Sequence, residues 1–91
     1  MDKVIEKAKE LKALIDQTPE MKEYLKNKQI LENSQDVLEL KHNIANLRAK
    51  GKYQEADNLQ ALYDEHPIVV NYEASKRALY ELLKTIESLI K

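Results

Sequence analysis

The chain has no cysteine, phenylalanine or tryptophan, and only one glycine and two prolines in 91 residues. Without cysteine there is no disulfide, no thiolate nucleophile, no cysteine-ligated zinc and no iron–sulfur cluster held by this chain. That usage fits a reducing compartment, and the expected location is cytoplasmic. A lone glycine, Gly51, leaves no material for a phosphate-cradling loop, and Ser34, Ser75 and Ser88 have no glycine-flanked nucleophile elbow around them. So few turn residues also argue against an all-β fold. Long hydrophobic runs are missing too: Ala13-Leu14-Ile15 and Ile68-Val69-Val70 fall far short of the ~20 residues that cross a bilayer, so no membrane association is expected. Nor is there an excess of one charge. Fifteen basic and 16 acidic residues give a formal net charge of −1, and residues 1–33 hold seven of each sign. Interleaved charges of this kind read as solvated helix faces and leave no footprint for direct nucleic-acid binding.

What remains is a chain rich in helix formers, with 34% charged residues, and an all-α fold follows. Its length makes one domain, 1–91, with much surface for its volume, so association would stabilise it. The strongest pattern is the last one. From Pro67 onward, Val69, Tyr72, Lys76, Leu79, Leu83, Ile86 and Ile90 recur at spacings of three and four, the seam of an amphipathic helix. Ala78, Leu82 and Leu89 lie beside that seam, so the C-terminal half should touch more than one neighbour.

Upstream, Asp2 can cap a first helix whose apolar positions are Val4, Ile5, Ala8, Leu11, Leu14 and Ile15 and which should end near Gln17. Thr18-Pro19-Glu20 restarts a helix, with threonine as N-cap and proline at the first helical position. Its buried face is expected to be Met21, Tyr24, Leu25, the stem of Lys28, and Leu31. Ser34 can cap a third helix carrying Val37, Leu40, Ile44 and Leu47, with Leu38 to one side. Lys50-Gly51-Lys52 then reads as a helix stop, the alternative being a glycine tolerated inside one long helix at about 1 kcal/mol. Tyr53, Ala56, Leu59, Leu62 and Tyr63 continue a helical pattern until His66-Pro67 interrupts the chain. Four or five helices with very short connections predict a helical bundle or a bent helical hairpin, expected to be dimeric.

Candidates for chemistry are sparse. Glu39 and His42 have the Glu-x-x-His spacing of di-metal helical bundles, but such a site needs a second copy of the motif, and His66 is preceded at that spacing by Tyr63. Asp64 and Glu65 are adjacent and point to different sides of a helix, a poor acid–base pair. No catalytic residue, metal or cofactor is expected. The five tyrosines are the only aromatics, and tyrosine suits half-buried or interface positions. The expected interface is therefore Tyr72, Leu79, Leu83, Ile86 and Ile90 along the seam, buried against a partner or against the third helix, with Tyr80 as an outer contact.

These residues also carry a resemblance. Leu47-Arg48-Ala49-Lys50-Gly51-Lys52, His66-Pro67-Ile68-Val69-Val70-Asn71-Tyr72-Glu73-Ala74 and Leu79-Tyr80-Glu81-Leu82-Leu83-Lys84-Thr85-Ile86, with the opening Thr18-Pro19-Glu20-Met21-Lys22-Glu23-Tyr24, make a chain that resembles the YlbF/YmcA family of small helical proteins from Gram-positive bacteria, which includes YheA. The resemblance implies a non-catalytic regulatory protein that forms homo-oligomers, or hetero-oligomers with a family relative. It links the chain to mRNA processing by endoribonuclease Y, and through it to competence, sporulation and biofilm control. The best-studied members carry cysteines associated with iron–sulfur clusters. This chain has none, so no cluster carries over, and it is similar to cysteine-free members of the YheA kind. The alternative expectation is a structural oligomerisation domain with no RNA-processing partner.

Overall fold

A computed structural model describes residues 2–90, and within them five α-helices and no strand. They are α1 (Asp2–Asp16), α2 (Pro19–Glu32), α3 (Gln35–Ala49), α4 (Tyr53–Glu65) and α5 (Pro67–Ile90). The connections are two or three residues long, or the single His66, and each break has a local cause. Thr18 Oγ1 donates to the Ile15 carbonyl at 2.6 Å and accepts from the Met21 N–H at 3.2 Å, so one hydroxyl serves the end of α1 and the start of α2. Ser34 Oγ accepts from the Val37 N–H at 3.4 Å. His66 Nδ1 accepts from the Ile68 N–H at 3.2 Å, giving α5 a histidine cap in front of its proline.

Gly51 settles the open question about the third helix: it ends α3. Its φ is +75°. The Lys52 N–H bonds the Leu47 carbonyl at 2.9 Å and the Gly51 N–H bonds that of Arg48 at 3.0 Å, the paired closure of a Schellman turn. A Cβ at Gly51 would meet nothing within 4 Å, so the penalty of a side chain here is conformational only. Gly51→Ala should destabilise by about 1 kcal/mol and Gly51→Asn by less, measured as shifts in the thermal midpoint.

Helices α3 and α4 pack as one antiparallel pair, and α2 and α5 as another. The second pairing is antiparallel because Asn27 meets Asn71 while the earlier Tyr24 meets the later Tyr72. α4 joins α5 through a smaller contact, and α1 touches α2 lightly. The neighbour of α5 is therefore α2, and not the third helix as the seam alone suggested. The molecule is 53 Å long and 23 by 21 Å across, with a radius of gyration of 18.0 Å, where a compact domain of this length has ~12 Å. The bent-hairpin form of the expected fold is thus the closer description.

The core is small. Val37, Ile44, Ala56, Val69 and Leu79 are its buried apolar side chains. Two polar residues are buried with them, Asn27 and Ser75. The expected face of α2 needs correction: Met21, Tyr24 and Leu31 are half-buried as anticipated, whereas Leu25 and Lys28 are exposed and Asn27 takes the inner position. α1 departs further. It buries no residue at all, and of its apolar stripe only Leu11 and Ile15 are even half-buried.

Candidate functional site: the faces of the final helix

α5 has 24 residues and is ~36 Å long, whereas the 14 residues of α2 reach ~21 Å. Since Tyr24 faces Tyr72 and α2 begins five residues before Tyr24, α5 outruns its partner at about Leu79. The seam is therefore divided. Val69 and Leu79 are buried and Tyr72 is half-buried within the chain, while Leu83 and Ile86 are half-buried and Ile90 is exposed. Of the six expected interface residues, the structure uses Tyr72 and Leu79 in the monomer's own packing and leaves surface on Tyr80, Leu83, Ile86 and Ile90.

Two polar positions in the α2·α5 contact were invisible to an apolar reading. Asn27 Nδ2 donates to the Asn71 carbonyl at 3.3 Å and to Glu23 Oε1 at 3.4 Å. Ser75 Oγ donates to the Tyr72 carbonyl at 2.9 Å, so this buried hydroxyl is satisfied inside its own helix and its small size lets α2 approach. Spacing could have found both: Asn27 lies three after Tyr24 and four before Leu31, and Ser75 three after Tyr72 and four before Leu79. The seam accordingly runs through Ser75 rather than Lys76. Lys76 lies on the outer edge, its Nζ 6.0 Å from the Tyr72 ring centroid and 5.8 Å from that of Tyr80, at cation–π range of both.

The Tyr24 and Tyr72 rings are 5.7 Å apart and tilted by 35°. The hydrogen bond with the Tyr24 side chain, and after it burial, push the Tyr72 hydroxyl up to about 12. Tyr63 is raised too, by burial and then by Glu73 and Asp64. Because the folded chain keeps the Tyr72 proton that the unfolded chain releases near pH 10, this contribution to stability is complete below pH 10 and is lost as pH rises toward about 12. Phenolate absorbance should therefore show a late-titrating tyrosine, and Tyr72→Phe should abolish that step.

Glu39 and His42 are both exposed. Among the described residues, no three His, Asp or Glu side chains are grouped as metal ligands, and no buried side-chain nitrogen or oxygen lacks a hydrogen-bond partner. A groove of about 270 Å³ between α3 and α4 is lined by Lys41, Ile44, Ala45, Arg48, Gln60 and Tyr63. Within it Arg48 already reaches Gln60 Oε1 at 3.4 Å, with Asp57 at 4.0 Å. Among the described residues no helix is long and apolar enough to cross a membrane.

No curated protein and no solved structure matches the chain. A family profile does: that described as control of competence regulator ComK, YlbF/YmcA, matches residues 4–91. The match takes in all five helices, including the Pro67-to-Ala74 segment and the final helix that carried the resemblance, and the all-α architecture agrees with it. This chain belongs to the YlbF/YmcA family, a regulatory family named for control of the competence regulator ComK.

Proposed function

We propose that the chain is a non-catalytic regulator that works in the cytoplasm by associating with other proteins, through α1 and the C-terminal half of α5. The observation that carries this reading is the mismatch between sequence pattern and burial. Two helices have strong apolar faces, yet Val4, Ile5 and Leu14 of α1 and Leu89 and Ile90 of α5 are left in water. Apolar residues left exposed on helices with strong apolar faces mark an interaction surface.

Family membership supports competence control as the setting. The finer part of the proposal is that the association acts on mRNA processing by endoribonuclease Y, and so on competence, sporulation and biofilm formation. Deleting the gene in its native cells and mapping transcript ends tests this. The expected result is the loss of a set of endoribonuclease Y-dependent ends, restored by the unmodified chain. Unchanged transcript ends would leave the alternative, a structural oligomerisation domain of the YheA kind with no RNA-processing partner.

A further inference from the structure

We infer that the groove between α3 and α4 is a docking site for an acidic amphipathic helix of another protein, one that presents two carboxylates seven residues apart with an apolar side chain between them. The groove shares no lining residue with the α1 and α5 faces, so it stands whether or not those faces associate as proposed. Three observations lead there.

The first is register. Lys41, Ile44, Ala45 and Arg48 line the groove from α3 at positions i, i+3, i+4 and i+7, so they form one stripe of the helix, basic at both ends and apolar between. Seven residues of helix put the two cations about 10.5 Å apart along the axis. Gln60 and Tyr63, three apart on α4, form the facing wall. A helix laid along this groove meets the stripe with its own residues i, i+4 and i+7. Ala45 has the small side chain that lets such a helix come close.

The second is depth. Ile44 is buried at the floor, whereas Lys41, Ala45 and Arg48 are exposed along the rim, so the groove is open on one side. A small molecule lying there would keep much of its surface in water, where ligand pockets bury roughly 70–90% of it. A helix needs cover on one face only, and the groove supplies that.

The third is charge. In a chain of net charge −1, the lining of this groove carries two cations and no acid, which favours an anionic occupant. Arg48 can change partners: it reaches Gln60 Oε1 at 3.4 Å and Asp57 at 4.0 Å, both long contacts, and its side chain is 48% exposed. A carboxylate set directly on the guanidinium pairs at about 2.8 Å. Two cations, with Asp57 and Asp64 just outside the lining, are too few for a phosphate backbone, where on the order of six to ten contacts are usual. A second copy of this chain does not supply the ligand either. Among the described residues, the only acids seven apart within one helix are Asp57 and Asp64, and these already lie against Arg48 and Gln60.

Amide chemical-shift mapping with a synthetic helical peptide is the test. The probe carries two glutamates seven apart and a leucine four after the first. One control has lysines in place of the glutamates, and a second has the same composition with the glutamates five apart. Shifts should fall on residues 41–48 and 60–63, and the probe should bind more tightly than either control. Lys41→Glu/Arg48→Glu, at two exposed positions, should weaken the probe about tenfold, because each reversal turns an attraction into a repulsion, and should make the lysine peptide the tighter ligand. Helix content by circular dichroism should be unchanged in that variant. On the unmodified chain, raising the salt from about 50 to about 500 mM should weaken the probe severalfold, a readout that needs no variant. Equal binding of the three peptides, an affinity unmoved by charge reversal or by salt, or no binding at millimolar peptide would overturn the inference. So would a single-stranded RNA oligonucleotide that shifts the same residues more strongly, or shifts there that arise from self-association alone, since each names a different occupant. Shifts confined to α1 and α5 would overturn it while sparing the proposed association surface.

Discussion

Leu79→Ala is expected to destabilise the folded chain by about 3 kcal/mol, read as a lower urea midpoint at unchanged slope. Leu79 is 4% exposed, is one of the buried apolar side chains, and sits where α5 still has α2 beside it. Removing its branched end costs the transfer free energy of three carbons and leaves a space that α2, pinned by Asn27, closes only in part. For a domain this small, whose whole stability is of order 5 kcal/mol, that is most of what holds it folded. The same truncation at Leu62, which is exposed on α4, should change stability by at most about 0.5 kcal/mol. Equal effects at the two positions would mean that the α2·α5 seam is not the core of the monomer.

Asn27→Asp should cost a comparable amount, about 3 kcal/mol at neutral pH, with a pH dependence that identifies its cause. Asn27 is 9% exposed and its amide donates to the Asn71 carbonyl and to Glu23. A carboxylate has the same shape and no proton to donate, so it would face a carbonyl oxygen and another carboxylate in a poorly hydrated contact. Both effects favour the protonated acid and raise its folded pKa above the unfolded value of about 3.9. The unfolded chain then releases its proton first as pH rises. The penalty is absent below about pH 4 and grows through the interval above it, so the stability difference from the unmodified chain should close at acid pH. A penalty of equal size at pH 3 and pH 7 would point to lost packing and not to buried charge.

Much of the fold was legible because local signals agreed with one another. Thr18-Pro19, Ser34, Gly51 and His66-Pro67 each combine a capping or φ requirement with a break in apolar periodicity, and the structure turns at all four. The third helix reads well for the same reason, its inner positions Val37 and Ile44 being buried and Leu40 and Leu47 half-buried. Two things were illegible. A polar residue at an inner position looks like a surface residue in sequence, so Asn27 and Ser75 were passed over although their spacing marks them. And periodicity reports that a helix has an apolar face without saying which neighbour covers it. Tyr72 and Leu79 lie on the same seam as Ile90, yet Tyr72 packs on Tyr24 of α2, Leu79 is buried and Ile90 is exposed. α1 shows the limit of pattern most clearly: its apolar stripe runs from Val4 to Ile15, and no residue of it is buried.

That unburied stripe makes association the central claim, and affinity copurification of the tagged chain from its native cells, with light scattering on what is recovered, tests it most directly. The account predicts that the chain returns with a related helical protein or an RNA-processing enzyme in fixed proportion, and that Leu89→Asp/Ile90→Asp loses it. Recovery of the chain with no other protein, at the same mass for the unmodified and substituted forms, would contradict the account and leave the structural alternative in its place.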